Sequence, residues 1–307
     1  SRNIIFAATY SVLCAVEHKT DAATGEHGDL LDVIGQTCGL RSFREIAEEA
    51  RRFLKLPRAQ REPPARGKDF RRSRDPVKAA RRLFAMAQPL AGTLAEVYLR
   101  NRDIDPPVGA ETLRFHPQCF YRPDDATTVE TWPALIAAVT NLEGRITGVH
   151  RTWLDPGSFD DRRLGKAPID TPRRAMGELL GHAVRFGIAD DVMAAGEGIE
   201  TMLSLRTVLP SLPVAAALSA NHLATLLWPA TLRRLYIAVD ADGAGMAAAE
   251  ALTARALDAN IEAIALCPRL EDFNEDLRLL GKVQLRGVVR HQLLLKDAAR
   301  FVDGDKA

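Results

Sequence analysis

The chain has 307 residues, of which 47% are hydrophobic, and a formal net charge of +1. The hydrophobic content excludes an intrinsically disordered chain, and the length allows two domains. The four cysteines are scattered without a C-x-x-C pair, which excludes a disulfide framework and favours a cytoplasmic protein. No apolar run approaches the roughly 20 residues that span a bilayer, so we expect no membrane association.

The first part of the chain is predicted to be helical and then to become irregular. Apolar residues recur at three- and four-residue steps over residues 29–56, and Ser42 with Glu45 forms a capping box. We therefore expect a helical region over residues 1–57. Residues 58–76 are basic, contain consecutive prolines and lack apolar periodicity, which is typical of a linker.

A mixed α+β domain is expected over residues 77–183. Helical periodicity over residues 77–99 is interrupted once by a proline and a glycine, and the pattern then changes to short β-like runs. Two of these runs, residues 134–139 and 146–150, flank a turn and predict a β-hairpin.

From residue 184 onward, continuous apolar strands alternate with helices. This alternation predicts an α/β fold with a Rossmann-like, mostly parallel sheet of four strands and flanking helices. We place this domain at residues 184–285 and a C-terminal tail at residues 286–307. The predicted strands are residues 192–195, 214–218, 235–239 and 261–266, and the predicted helices are residues 199–208, 221–227, 246–257 and 274–280.

Acidic residues follow three of these four strands: Glu197, the pair Asp240 and Asp242, and Asp272. Ligands of open α/β sheets bind outside the carboxyl ends of the strands, so we expect these carboxylates to converge. Packed carboxylates repel one another unless a cation compensates, and Mg²⁺ prefers a few carboxylates together with water and phosphate oxygens. The pattern predicts a Mg²⁺ site for phosphate chemistry, although a lone D-x-D is also common in solvated turns and helix caps.

The acidic residues lie in three motifs, AGEGIET from Ala195, IAVDADGAG from Ile237 and DFN from Asp272. With these motifs, residues 184–281 resemble a Toprim domain. This metal-binding module is shared by bacterial primases, topoisomerases and some nucleases.

The Toprim resemblance implies a role for each acidic residue. Glu197 is expected to act as general acid or base, or as a metal ligand. Asp240 and Asp242 are expected to hold Mg²⁺ or Mn²⁺, and Asp272 is expected to be a further ligand.

Two other positions in these motifs bear on the metal site. The third motif of the family often contains a second aspartate, where this chain has Asn274, so the resemblance does not imply a complete site for a second metal ion. Glu200 lies one helical turn after Glu197 and is either a residue of the helix face or a carboxylate that supports the ligands.

Motifs upstream of the Toprim-like segment extend the resemblance. HRTWLD from His150, GKAP from Gly165 and RAMG from Arg174 look like the region that precedes the Toprim domain in primase-like proteins of plasmids and phages. GDLLDVI from Gly28 and SFREIA from Ser42 resemble the segment that follows the zinc-binding module of these proteins. The N-terminal helical region is therefore interpreted as a remnant of that segment.

The sequence shows no recognisable zinc module. Cys14, His18, His27 and Cys38 are of the right ligand types, but their spacing fits no standard zinc finger. We therefore expect no zinc in this chain.

Basic residues precede the Toprim-like segment and are interleaved with acidic ones. Arginine and lysine at this place could neutralise template phosphates or a nucleoside triphosphate. The alternative is a solvated face with local ion pairs. The candidates for nucleic-acid or nucleotide binding are His150, Arg151, Lys166, Arg173 and Arg174.

The motifs together favour a primase-like, Mg²⁺-dependent nucleotidyltransferase that synthesises RNA primers on single-stranded DNA in plasmid or phage replication. Its expected partners are single-stranded DNA, nucleoside triphosphates and a replicative helicase. Two alternatives remain open. One is a Toprim-type metal-dependent nuclease, in which the same site activates water, and the other is a non-catalytic nucleic-acid-binding replication adaptor.

Overall fold

The structure is a computed structural model, in which the chain divides into two compact units, Ser1–Arg72 and Ser73–Ala307. In the first unit, two short strands, β1 (Lys19–Thr20) and β2 (His27–Gly28), pair antiparallel. The described residues are 75–106, 111–123, 129–157, 165–239 and 243–304, together with scattered positions between residues 19 and 52.

Several expectations for the N-terminal part fall outside the described residues. They are most of the helical region over residues 1–57 and nearly all of the linker over residues 58–76. Cys14 and His18 also lie outside, whereas Cys38 is described and exposed to solvent.

The second unit begins with a five-stranded sheet in which all neighbouring strands are antiparallel. The predicted β-hairpin is confirmed, because the two runs form the third and fourth strands of this sheet and pair antiparallel. In order, the strands are β3 (Gln88–Pro89), β4 (Leu113–Tyr121), β5 (Glu130–Thr140), β6 (Ile146–Trp153) and β7 (Arg173–Gly177).

The central strand β5 is buried on both faces. Ile136 and its alternate neighbours pack with Phe84 of the first helix, whereas Leu135 and Val139 pack in the core that leads to the second sheet. Since successive side chains of a strand point to opposite faces, a strand covered on both sides has a continuous apolar sequence. This explains the uninterrupted apolar run of residues 134–139.

The second sheet has the predicted α/β architecture. Its four parallel strands lie in the order β12-β11-β9-β10, and a fifth strand, which was not predicted, joins the edge antiparallel to β10. The strands are β8 (Val184–Phe186), β9 (Val192–Gly196), β10 (Val214–Ala216), β11 (Arg234–Ala238) and β12 (Glu262–Leu266).

Seven α-helices are found in the described part of the second unit. They are α1 (Pro76–Met86), α2 (Leu94–Arg100), α3 (Ile199–Val208), α4 (Ala220–Ala224), α5 (Gly243–Asp258), α6 (Phe273–Gln292) and α7 (Leu295–Ala298), and a π-helical turn follows at Ala299–Asp303. None of the helices in this part of the chain combines the length and the apolar character needed to cross a bilayer.

Helix α6 is longer than the sequence predicts. Gly281 has a φ of 82°, which interrupts the helical geometry at the residue after the predicted end. The helix continues because Leu285 and Val289, beyond the interruption, are buried in the core. The expected tail over residues 286–307 is therefore helical in most of its described part.

The two sheets of the second unit share one hydrophobic core. Leu135 and Val139 of β5 belong to the same buried cluster as Ala194 of β9 and Leu203 of α3. Thr140 at the end of β5 also exchanges backbone hydrogen bonds with Ala183, just before β8. The antiparallel and parallel sheets are therefore held in a fixed relation, and side chains from both can line one site.

A buried polar network closes the amino edge of the parallel sheet. Arg234 at the start of β11 donates from Nη1 to Asp297 of α7 at 2.8 Å, and Tyr236 donates its hydroxyl to the same carboxylate at 2.6 Å. The other guanidinium nitrogens, Nε and Nη2, donate to Glu262 at 2.9 and 2.6 Å. This network fixes the C-terminal helices to the sheet.

Candidate active site

A cleft of about 520 Å³ lies between the carboxyl edge of the parallel sheet and strands β6 and β7 of the antiparallel sheet. Loops that follow β9, β10 and β12 form one side of the cleft. The carboxyl edge of a parallel sheet is where open α/β folds bind their ligands. The lining includes three carboxylates and several basic side chains, so the site is suited to an anionic ligand with an associated cation.

Two predicted acidic residues, Glu197 and Asp272, line this cleft. Glu197 directly follows β9 and is partly buried, and Asp272 precedes α6. The pair Asp240 and Asp242 lies outside the described residues. The strand that the pair follows, β11, lies between β9 and β12, and these are the strands that lead to Glu197 and to Asp272.

Asp272 has a structural role as well. Its Oδ1 accepts a hydrogen bond from the backbone N–H of Glu275 at 2.7 Å, which caps α6. This use of one oxygen leaves Oδ2 as the atom that could contact a cation. A sequence pattern by itself does not distinguish an aspartate that caps a helix from an aspartate that binds a metal ion.

Asn274 faces away from the acidic side chains. Its Oδ1 accepts from Nη1 of Arg102 at 2.9 Å, and its Nδ2 donates to the Arg102 carbonyl and to Oγ of Ser204, both at 3.0 Å. The side chain is 2% exposed, and an aspartate could not make both donations. The asparagine therefore holds the Arg102 loop against α3.

Glu200 is buried on the cleft side of α3. Its Oε1 accepts from the Tyr98 hydroxyl at 2.6 Å, and its Oε2 lies 3.8 Å from Nη1 of Arg173. Burial opposes ionisation of this carboxyl, but the charges of Arg102, Arg173 and Lys166 outweigh it and lower its pKa to about 2. Glu200 is thus an anion at neutral pH and is surrounded by cations.

Four of the five predicted basic residues line the cleft, namely His150, Lys166, Arg173 and Arg174, but the Arg174 guanidinium points away from it. Burial lowers the pKa of His150 to about 4, so its imidazole is neutral at pH 7. Burial also lowers the pKa of Lys166 to about 8, and Glu200 partly counters that effect. The cleft therefore combines a fixed guanidinium charge with an ammonium group that titrates near physiological pH.

The guanidinium groups of two predicted basic residues point to the opposite face of the antiparallel sheet. Arg151 and Arg174 are cross-strand partners in β6 and β7, so they share a face that His150 and Arg173 do not. The Arg151 guanidinium lies 4.9 Å from the Trp153 ring centre. Arg174 borders the cleft, but its guanidinium stacks over an aromatic ring on the far face and donates to the Arg122 carbonyl and the Thr171 hydroxyl. Because successive side chains of a strand point to opposite faces, the alternation along β6 and β7 accounts for this difference in direction.

Arg102 is a cleft residue that the sequence analysis missed. It follows α2, is 4% exposed, and its guanidinium lies 4.8 Å from the Tyr98 ring centre. Its Nη1 is bonded to Asn274, whereas its Nε and Nη2 are buried without a hydrogen-bond partner among the described residues. A buried guanidinium N–H without an acceptor is costly, so these atoms are suited to an anion in the cleft. No local pattern marks Arg102 as a cleft residue, because its hydrogen-bond partner Asn274 lies 172 positions away in the sequence.

The loop after β10 adds a second group that was not predicted. Leu218 has a φ of 78°, which is uncommon for a residue with a branched side chain, and its N–H donates to the Glu197 carbonyl at 2.9 Å. Ser219 and His222 follow and line the cleft. Backbone strain of this kind is concentrated at functional sites, so we include this loop in the candidate site.

The described residues are compatible with a hard divalent cation. Glu197 and Asp272 supply oxygen ligands, which Mg²⁺ prefers. At Gly196, an added Cβ would lie 2.7 Å from Sδ of Met202 and 3.0 Å from Cβ of Ala238, so a larger residue would displace the Met202 side chain next to Glu197. Within the described ranges, no group of three or more His, Cys, Asp or Glu side chains forms a metal site, and Asp240 and Asp242 lie outside these ranges.

Comparison with known families divides the second unit into two segments. Residues 192–282 match the Toprim domain family, and residues 74–186 match a domain of unknown function, DUF7146. No curated protein matches the chain.

The chain aligns with several solved primase structures. The Aquifex aeolicus primase, with its zinc-binding and RNA polymerase domains, aligns with a TM-score of 0.50 and 17% identity over 92% of this chain and 75% of that chain. A DNA primase domain from Pseudomonas aeruginosa aligns with a TM-score of 0.48 and 15% identity, over 70% of this chain and 78% of that chain. The RNA polymerase domain of Mycobacterium tuberculosis primase DnaG aligns with a TM-score of 0.47 and 17% identity, over 75% of this chain and 87% of that chain. The chain therefore contains a Toprim domain at residues 192–282 within a fold that it shares with the Aquifex aeolicus primase.

Proposed function

We propose that this protein is a primase-like nucleotidyltransferase that synthesises RNA primers on single-stranded DNA and depends on Mg²⁺. One observation carries the proposal: the Toprim carboxylates Glu197 and Asp272 share a cleft with basic side chains from the preceding sheet. Nucleotidyl transfer needs this combination, because a metal site must hold the triphosphate while cations balance its charge. The fold shared with a primase is consistent with this function.

The acidic residues have distinct roles in the proposed reaction. Asp240, Asp242 and Asp272, with Glu197 as a further oxygen donor, would hold Mg²⁺, and the ion would neutralise charge on the triphosphate. A primer 3′ hydroxyl attacks the α-phosphate, a new P–O bond forms, and pyrophosphate leaves. Glu197 accepts the hydroxyl proton at a carboxylate oxygen.

The basic side chains position the substrates. Arg102, Lys166 and Arg173 bind phosphate oxygens of the triphosphate or of the template, and charge-assisted bonds of this kind are among the stronger ones in proteins. The neutral imidazole of His150 contributes a hydrogen bond without adding charge. In this proposal the partners are single-stranded DNA, nucleoside triphosphates and a replicative helicase, and the setting is plasmid or phage replication in the cytoplasm.

The proposal is tested by incubating the protein with single-stranded DNA, Mg²⁺ and labelled ribonucleotides. Asp240→Asn is expected to reduce oligoribonucleotide synthesis at least about a hundredfold, because it removes a metal-binding charge. Asp258→Asn is the matched control, since this exposed carboxylate ends α5 and precedes the amino edge of the sheet. It should leave synthesis unchanged.

Other outcomes would contradict primer synthesis. Mg²⁺-dependent nicking of plasmid DNA that is lost in Asp240→Asn, without any ribonucleotide product, would identify a Toprim-type nuclease. DNA binding that is indifferent to Mg²⁺, with neither product, would identify a replication adaptor.

A further inference from the structure

Both oxygens of the Glu200 carboxylate contact groups that precede the parallel sheet in the chain. The Tyr98 hydroxyl donates to Oε1 at 2.6 Å, and Nη1 of Arg173 lies 3.8 Å from Oε2. The residue is 8% exposed. A carboxylate that is enclosed by protein donors in this way is poorly placed to coordinate a hydrated cation, which needs open coordination positions for water.

Three cations converge on this one carboxylate. Arg102, Arg173 and Lys166 line the same cleft as Glu200, Nη1 of Arg173 lies 3.8 Å from its Oε2, and Arg102 is stacked on the Tyr98 ring. Burial opposes ionisation of Glu200, but the charges of these three residues lower its pKa to about 2. Like charges in a partly buried site repel one another strongly, because the low local dielectric weakens screening. A buried anion among them offsets this repulsion and allows the cations to stay in the cleft.

We propose that Glu200 is a positioning residue, the buried counter-ion that holds Arg102, Arg173 and Lys166 together as a cradle for a polyphosphate. This inference rests on the proposed function, because the proposed function identifies the ligand as a triphosphate. The cradle itself is a property of the described side chains.

The protonation of Lys166 supports this role. Burial lowers its pKa to about 8, Glu200 and Asp272 raise it, and Arg173 and Arg102 lower it further. At pH 7 the ammonium is retained, in part because Glu200 is ionised. Removal of the Glu200 charge therefore shifts Lys166 toward its neutral form and weakens the cradle at alkaline pH.

The experiment measures binding of inorganic tripolyphosphate by calorimetry, in EDTA and without DNA, at about pH 6.5 and about pH 9. The readout is the ratio of the dissociation constant at high pH to that at low pH, so titration of the ligand itself cancels between variants. Glu200→Gln is expected to increase this ratio by at least about threefold, because Lys166 loses its proton at lower pH. Tyr98→Phe is the matched control, since it removes the hydrogen bond but keeps the charge, and its ratio should stay within about twofold of wild type.

A second variant tests the same idea without altering Glu200. Lys166→Arg keeps its charge at all accessible pH values, so its ratio should be lower than that of the wild type. In the background of Lys166→Arg, Glu200→Gln should no longer increase the ratio.

An unchanged ratio in Glu200→Gln overturns the inference. If Glu200→Gln does not fold, an unchanged ratio in Lys166→Arg overturns it instead. Absence of tripolyphosphate binding by the wild type overturns it as well. Because the assay contains neither metal nor template, its result is separate from that of primer synthesis. A protein that binds tripolyphosphate as expected but makes no primer contradicts only the proposed function.

Discussion

The two edges of the parallel sheet carry networks of the same residue types that are completed to different degrees. At the amino edge, Arg234 has all three of its guanidinium nitrogens bonded to carboxylates, and Tyr236 donates to Asp297 at 2.6 Å. Every strong donor there has a protein acceptor. The amino-edge network is therefore complete within the protein itself.

At the carboxyl edge, the same chemistry is left incomplete. Tyr98 donates to Glu200 at 2.6 Å, as in the other network, yet Arg102 has only Nη1 bonded, and its Nε and Nη2 are buried without a described partner. Each unsatisfied buried donor costs about 1–3 kcal/mol. These unbonded donors distinguish the carboxyl edge from the amino edge, and the phosphate binding proposed above would supply them with acceptors.

The largest expected effect comes from breaking the completed network. Asp297→Ala leaves Arg234 and Tyr236 without their shared acceptor and should lower the free energy of unfolding by about 3–5 kcal/mol in urea denaturation. Asp191→Ala breaks an exposed ion pair with Arg300 of the same C-terminal segment and should cost about 1 kcal/mol or less. Equal losses in the two variants would contradict the distinction between a buried and an exposed pair.

A somewhat smaller effect concerns the pH dependence of stability in the cleft. The pKa of His150 is lowered to about 4 in the folded state from 6.5, so between these values the unfolded state binds more protons. Stability should therefore fall as the pH decreases from 6.5 to 4, by roughly 3 kcal/mol at most from this residue. His150→Gln should remove that part of the slope in denaturation curves across this window. Parallel curves for the two proteins would show that His150 is not held neutral.

Ligand binding should complete the incomplete network. Saturation with tripolyphosphate at about 100 times its dissociation constant should raise the free energy of unfolding by about 2.7 kcal/mol, measured as an increase in Tm. Arg102→Gln should reduce this increase, because it removes the two unsatisfied donors. Arg100→Gln, two residues earlier in an exposed ion pair with Glu96, should keep it in full. An increase in Tm as large in Arg102→Gln as in the wild type would contradict a contact between these donors and the ligand.

The smallest expected change in stability is that of Asp272→Asn, which tests whether Asp272 binds the metal ion in addition to capping α6. Asparagine caps helices as well as aspartate does, so Asp272→Asn should alter the free energy of unfolding by less than about 0.5 kcal/mol. The lost charge should nevertheless raise the Mg²⁺ concentration required for half-maximal primer synthesis about tenfold. Asp75→Asn, the same exchange at the cap of α1, should leave the Mg²⁺ requirement unchanged. An unchanged Mg²⁺ requirement in both variants would show that Asp272 caps the helix and does not bind the metal ion.

The sequence predicted the four parallel strands of the second sheet. Four apolar runs became β9 to β12, and Glu197 lies immediately after one of them. Both features depend on neighbouring residues, since strands form from short apolar runs and a strand-end position follows from the run itself. The antiparallel edge strand β8 was not predicted, because three residues carry too little periodicity.

The faces on which the basic residues lie were not predicted from the sequence. Arg151 was grouped with His150 and Arg174 with Arg173, although alternation along β6 and β7 sends the members of each pair to opposite faces. The strand periodicity needed to separate them was present in the sequence, but the bounds and pairing of β7 were not. Glu200 and Asn274 were assigned to motif positions, and their partners Tyr98 and Arg102 were not anticipated.

The sequence by itself determined the α/β class, the strands of the Toprim domain and the acidic residues at their ends, because these follow from local periodicity and order along the chain. The tertiary structure decided which basic side chains enter the cleft, and it buries Glu200 next to these cations. It also brought Arg102 to Asn274 across 172 positions of sequence. Burial and electrostatic pairing depend on which distant residues the packed core brings together, and no local pattern encodes that proximity.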